Sequence, residues 1–240
     1  MLVEAVNLCK TYKIGWFRKR RIEVIKEVAI SVAEGETVGL VGESGSGKTT
    51  LGLLLTGLLK PDGGQVFFKG KAISELTPRE KKDFRRQVQV IFQHPEVAFN
   101  PKWRLRRSLA EPYKLHKIPF TEELLLEHLK TVGLSSEHLD RYPSQLSGGE
   151  LQRAAIARVM VLEPKFLVLD EPTSMLDVIT QAQIIRLLQA IQKEKGVAYL
   201  FITHDLELAR LFCQRIYRLV EGKLEEMPTV RSASRDSATS

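Results

Sequence analysis

The sequence predicts an α/β protein: a mainly parallel sheet core, an N-terminal antiparallel β-subdomain, and a helical subdomain inserted between two core strands. Three observations lead there. The apolar run Thr37–Val41 enters a glycine-rich loop, Gly42–Thr49, and a helical pattern leaves it. Further apolar runs at Val88–Phe92, Phe166–Leu169 and Val197–Thr203 alternate with helical stretches, which argues a parallel sheet with right-handed crossovers. From Asn100 to about Val161 there is no strand pattern.

Each element has a local reason. Leu2–Leu8 and Glu23–Val32 alternate apolar and polar residues, as half-buried strands do, around a polar hairpin tip at Tyr12–Arg21 that carries Trp16 and Phe17. Lys48–Leu59 reads as a helix, closed by the turn Lys60-Pro61-Asp62-Gly63-Gly64. Thr77-Pro78-Arg79-Glu80 supplies an N-cap, a proline at the first helical position and a glutamate at the third, so a helix starts there. Within the insertion, Glu122–Val132 is helical, with turns at Gly133 and Tyr142-Pro143. Val178–Lys195 places Ile184, Ile185, Leu187, Leu188 and Ile191 on one face and stops at Gly196. Leu206–Phe212 is a short helix; Ile216–Val220 and Lys223–Glu226 complete the sheet. Residues 1–228 are expected to form one domain with the insertion at about 100–161, and Thr229–Ser240 a disordered tail.

Composition narrows the class. At 240 residues, with 43% hydrophobic and 7% aromatic content, the chain is an ordinary globular protein. No stretch reaches the roughly 18 apolar residues that span a bilayer. The opening Met1-Leu2-Val3-Glu4 shows no signal-peptide pattern. Cys9 and Cys213 stand far apart in apolar patterns and read as reduced core residues, as suits a cytoplasmic protein. The net charge of +7 is concentrated in Arg18-Lys19-Arg20-Arg21 and in Lys102, Arg104, Arg106 and Arg107. Neither cluster carries a nucleic-acid motif, so no nucleic-acid partner is expected.

Two motifs recognise phosphate. Gly42-Glu43-Ser44-Gly45-Ser46-Gly47-Lys48-Thr49, followed by Thr50, has the spacing of a phosphate-binding loop on a strand–helix junction. Its glycines let backbone N–H groups face the phosphates, Lys48 reaches the outer ones, and the Thr49 hydroxyl can ligate Mg²⁺. Asp170 ends an apolar strand and can sit beside that cation; Glu171, immediately after it, is a candidate general base. Ser147-Gly148-Gly149-Glu150 heads a helical pattern and offers a second anion site. Ser147 and Glu150 also make a capping box that needs no ligand. Gln93 could close the Mg²⁺ shell, or be a surface residue; His204 follows a core strand, where ligands of such sheets collect. Tyr12 could stack on adenine or serve the hairpin.

Together, Tyr12, Gly42–Thr49, Gln93, Leu146–Glu150, Asp170-Glu171, Ser174-Met175-Leu176-Asp177 and His204 resemble the ordered motif set of an ABC transporter ATPase subunit, over roughly Val3 to Met227. The usual fifth signature residue is Gln; here it is Glu150. The resemblance implies a RecA-like phosphate-loop core, ATP and Mg²⁺ as cofactors, and a head-to-tail dimer with a second, homologous or identical, ATPase subunit. Each ATP would lie on one chain's Gly42–Thr49 and be capped by the other's Ser147 and Gly149. Glu171 would activate water, His204 contact the γ-phosphate, and Asp177 communicate between sites. Membrane-spanning permease subunits, and indirectly an extracytoplasmic solute-binding protein, would be partners at the cytoplasmic face of the inner membrane. The loop Phe99–Leu105, downstream of Gln93, is expected to contact the permease. Asn100-Pro101 and Ala110-Glu111-Pro112 resemble subunits of oligopeptide, dipeptide and nickel importers. The lack of a C-terminal cysteine cluster suggests the shorter nickel-type members. A soluble cassette, such as a carbon–phosphorus lyase accessory protein, is the alternative.

Overall fold

Residues 1–14 and 20–228 are described in the computed structural model. The predicted tip residues Trp16, Phe17, Arg18 and Lys19 and the tail Thr229–Ser240 lie outside the described residues. Alternating apolar positions pair β1 (Val3–Ile14) with β2 (Arg20–Val32), antiparallel from Val3↔Val32 to Ile14↔Arg20. β3 (Thr37–Val41) is buried throughout and passes through the glycine loop into α1 (Lys48–Leu55). The chain then returns to the first sheet as β4 (Gly63–Phe68) and β5 (Lys71–Ala72), giving the order β2-β1-β4-β5. α2 (Pro78–Gln87) begins at the predicted cap: Glu80 N–H donates to Thr77 Oγ1, and Thr77 N–H donates back to Glu80 Oε2 at 2.8 Å.

β6 (Val88–Ile91) leads into the helical insertion, α3 (Leu105–His116), α4 (Glu122–Thr131) and α5 (Gly148–Met160). The chain re-enters the core as β7 (Phe166–Asp170), α6 (Val178–Lys195), β8 (Ala198–Thr203), α7 (Leu206–Phe212), β9 (Arg215–Val220) and β10 (Lys223–Met227). The second sheet has the order β10-β9-β3-β8-β7-β6, parallel except for β10.

The period-2 alternation of β7 and β8 sends neighbouring side chains into two different cores. Leu167, Leu169, Tyr199 and Phe201 face Ile156 of α5, Ile184 and Leu188 of α6, and Phe212 of α7. Phe166, Val168, Leu200 and Ile202 face Leu51, Leu54 and Leu55 of α1 and Leu8, Ile25 and Val32 of the antiparallel sheet. Each such fully buried side chain contributes roughly 1.5–3 kcal/mol relative to exposure. The parallel sheet is therefore a middle layer fixed from both faces, and its strand ends are rigid supports.

Four expectations shift. β1 continues past Leu8 to Ile14, so Tyr12 lies in a strand opposite Ile22, not in the hairpin tip. α1 ends at Leu55, four residues early, because Thr56 caps it and Gly57 turns with φ 67°. Gly63 and Gly64, read as a turn, open strand β4. Phe99, the first residue of the loop expected to meet the permease, is buried in the core under Arg158 and does not face outward. Among the described residues, no helix is long and apolar enough to cross a membrane.

Candidate nucleotide site

Strand register brings the predicted residues to one edge. Val41 pairs with Thr203, Asp170 with Ile202, and Ile91 with Leu169, so Gly42, His204, Glu171 and Gln93 all leave the sheet at its carboxyl end. Gly47 caps α1 at φ 107°, a left-handed conformation, and a Cβ there would lie 2.7 Å from Val24 Cγ1. Lys48 is buried and donates from Nζ to the carbonyls of Gly42 and Glu43, both at 2.8 Å. Glu43, Ser44, Gly45 and Thr49 are exposed along the loop, and Thr50 is half-buried. Tyr12 stands opposite Ile22, two residues before the Val24 that crowds Gly47, with its ring partly exposed.

Two observations fit a phosphate and a cation here. The Ser46 hydroxyl is buried without a hydrogen-bond partner among the described residues, inside the loop expected to wrap phosphate. Burial pushes the Asp170 carboxyl above its ordinary range and the neighbouring Glu171 charge adds to this, while the Thr49 hydroxyl and Lys48 oppose it. A buried carboxylate beside a threonine hydroxyl is a donor set that gains from a hard divalent cation.

Glu171 is the hub of the edge. Its Oε2 accepts from Gln93 Nε2 at 3.1 Å and lies 3.3 Å from His204 Nδ1. Glu171 N–H donates to Ile202 O at 3.0 Å, and the residue has φ 47°. Left-handed backbone in a residue with a Cβ costs about 1–2 kcal/mol, sustained here by the surrounding bonds. Ser174 completes the clamp: its hydroxyl donates to Glu171 O at 3.1 Å and accepts from Gln93 Nε2 at 3.3 Å. Its sequence signal was its place in the Ser174–Asp177 run, with nothing local to indicate the contact with Gln93. The predicted Gln93, Glu171 and His204 thus meet around one carboxylate oxygen.

The second motif forms the expected capping box. Glu150 N–H donates to Ser147 Oγ at 3.3 Å, and Ser147 N–H donates to Glu150 Oε2 at 2.7 Å. Ser147 and Gly148 are exposed. Close packing against α6 also favours glycine at 149, where a Cβ would lie 2.5 Å from Thr180 Cγ2; a Cβ on Gly148 would lie a tighter-than-usual 3.3 Å from Leu176 Cδ2, in the turn before that helix. Asp177 caps α6, its Oδ1 accepting from Ile179 N–H at 3.0 Å and Thr180 N–H at 2.9 Å, its Oδ2 from the Thr180 hydroxyl. Those bonds, the Thr180 hydroxyl first, hold its carboxyl below the ordinary range.

A family described as ABC transporter matches residues 25–174. The oligopeptide transport ATP-binding protein OppF of Streptococcus mutans is 40% identical over 95% of this chain and 75% of its own length. The nickel import ATP-binding protein NikE of Rhodospirillum rubrum is 44% identical over 88% of this chain and 78% of its own. A dimeric ATP-binding cassette solved in a post-hydrolysis state with ADP and Pi superposes with a TM-score of 0.82 at 32% identity, covering 94% of this chain and 97% of that one. The chain belongs to the ABC transporter family, as one of its ATP-binding, ATP-hydrolysing cassettes.

Proposed function

We propose that this cassette is the energy-coupling subunit of an importer for oligopeptides or nickel, acting as one unit over residues 1–228 on the cytoplasmic face of the membrane. The observation that carries the ATP-hydrolysing part of the reading is the meeting of Gln93, Glu171 and His204 beside the phosphate loop at one sheet edge. OppF is named a transport and NikE an import ATP-binding protein, which favours this reading over a soluble accessory ATPase.

In this reading the backbone of Gly42–Thr49 and the Ser46 hydroxyl hold the phosphates. Lys48 leaves its two loop carbonyls for the outer phosphate oxygens, exchanging two neutral acceptors for an anionic one. Tyr12 stacks on the adenine. Thr49, Gln93 and Asp170 would hold Mg²⁺, which when bound neutralises charge on the phosphates as the bond breaks. Glu171 takes a proton from the attacking water, and His204 orients toward the γ-phosphate. A second ATPase subunit supplies Ser147, Gly148 and Gly149, whose helix N-terminus offers N–H groups to that same phosphate. Closure excludes water from the reacting centre, and opening after hydrolysis moves the permease. The permease subunits, and a solute-binding protein behind them, choose the solute.

The test is capture of the tagged full chain from detergent-solubilised membranes, followed by reconstituted, ATP-dependent uptake. Co-purifying membrane subunits and uptake of peptide or nickel are expected. A chain recovered only with soluble proteins, and hydrolysing ATP without membranes, would instead support the accessory-ATPase alternative.

A further inference from the structure

His138 lies in the short helical turn Ser136–Asp140, at a position that belongs to none of the sequence motifs. Its ring nitrogens are both engaged. Ser135 backbone N–H donates to Nδ1 at 3.1 Å, so Nδ1 is an acceptor and the imidazole proton sits on Nε2. The Ser135 hydroxyl, 2.9 Å from Nδ1, can donate to it as well, and Ser135 O is 3.2 Å away. Nε2–H then donates to Glu150 Oε1 at 3.0 Å, while the other Glu150 oxygen accepts from Ser147 N–H. The His138 and Glu150 side chains are 15% and 31% exposed.

We propose that His138 is a positioning residue for the signature turn, forming with Glu150 a matched donor–acceptor pair that fixes the pose of Ser147–Gly149. The capping box alone does not require a glutamate, because a glutamine at this place caps equally well. The carboxylate differs in presenting a second acceptor. With glutamine, the amide oxygen is taken by Ser147 N–H and the NH₂ group is left facing His138 Nε2–H, donor against donor. Moving the imidazole proton to Nδ1 relieves that clash but forfeits the bond from Ser135 N–H. Nδ1–H can then donate to Ser135 O or to the Ser135 hydroxyl, so the exchange leaves Ser135 N–H as the one group without its partner.

The segment carrying His138 is also fixed to the head of α3. Leu105 N–H donates to Arg141 O at 2.9 Å, and Asp140 lies 3.5 Å from Arg104 and 3.9 Å from Arg106. Arg141 reaches to 3.7 Å from Glu150 Oε1. His138 therefore joins the segment entering the insertion to the cap that presents Ser147. The functional half of this inference rests on the signature turn meeting a nucleotide.

The test is a double-mutant cycle on the full chain: Glu150→Gln, His138→Gln, and both together. A glutamine amide introduced at position 138 can face either way, so its oxygen can accept from the amide introduced at position 150. Glu150→Gln alone is expected to lower turnover roughly tenfold, about one charge-assisted hydrogen bond, without weakening ATP binding. His138→Gln keeps a donor toward Glu150 but not the ring's paired contact to Ser135 N–H, so it should lose turnover, though less than Glu150→Gln, and the double variant should recover most of the Glu150→Gln loss. Additive losses overturn the proposal, and so does a ¹⁵N spectrum of the wild-type chain that places the His138 proton on Nδ1. Failure of the nucleotide-meeting reading shows separately, as wild-type turnover by Ser147→Arg. The spectrum, and the same cycle read by thermal midpoint, then still decide the pair.

Discussion

Gln93, two residues past the end of β6, donates from Nε2 to Glu171 Oε2 across 3.1 Å, tying the strand that leads into the helical insertion to the residue that follows Asp170. His204 approaches the same oxygen from β8 at 3.3 Å. Three strand ends thus share one carboxylate. If Glu171 is the base, Glu171→Gln keeps ATP binding and cuts turnover at least roughly 10²-fold. Isothermal titration and steady-state hydrolysis on one preparation check it; wild-type turnover would falsify the assignment.

Gly149→Ala places a Cβ 2.5 Å from Thr180 Cγ2, on a β-branched side chain that cannot swing away while its hydroxyl bonds Asp177. Overpacking of this kind costs about 1–3 kcal/mol. The thermal midpoint should fall accordingly. Adding Thr180→Ser, which keeps the hydroxyl and removes the methyl, should recover most of the loss. No recovery would mean that the glycine serves something other than α5–α6 packing.

Glu150 should contribute an acid-range component to stability. Its carboxyl is held at about 2 against the ordinary 4.5, first by Ser147 N–H and then by His138 and the Ser147 hydroxyl. A lowered value means the folded state keeps this proton off. The stabilisation is complete above 4.5 and is lost as pH falls through about 2. The gap between the thermal midpoints of wild type and Glu150→Gln should therefore narrow across that window; a gap that widens toward acid contradicts the assignment.

The loop after Gln93 is proposed to meet the permease. Phe99 is buried, so cross-linking cysteines belong at exposed Pro101 and Lys102 and at half-buried Trp103, whose ring lies 3.9 Å from the Arg107 guanidinium carbon. Efficient cross-links to a membrane subunit are expected from these positions. Links formed only from the basic hairpin, at its described residue Arg21, would sink the idea.

Local signals account for what the sequence already made legible. α6 and α7 match the predicted bounds because Asp177 and Gly196 close one and Asp205 opens the other with side-chain or left-handed caps. Thr37–Val41 matches because a fully buried parallel strand reads as an unbroken apolar run. β4 was missed because a Gly-Gly pair signals a turn. Here Gly64, at φ 78°, lets β4 pass the Asn7 carbonyl, where a Cβ would come within 2.2 Å. That irregularity is set by β1, more than fifty residues earlier, and leaves no mark nearby.

The site divides in the same way. Gly42–Thr49, Gln93, Asp170, Glu171 and His204 follow strand ends, so a strand assignment places them together. The orphaned Ser46 hydroxyl, the Ser174 clamp and the His138–Glu150 pair depend on side chains meeting across the fold. Spacing along the chain does not encode those meetings.

The central claim, that the nucleotide is completed by a second chain, is tested most directly by mixing two dead variants. Ser147→Arg should bind ATP as a monomer like wild type yet neither dimerise on ATP nor turn over. Lys48→Ala should lose ATP binding by about 10–100-fold, the worth of the charge-assisted contacts to phosphate. Provided the chain pairs with itself, a mixture of the two holds one composite site with Lys48 from one chain and Ser147 from the other. The account predicts that hydrolysis reappears in the mixture while each variant alone stays inactive. Loss of ATP binding by the Ser147→Arg monomer would contradict it, because both motifs would then belong to a pocket within one chain.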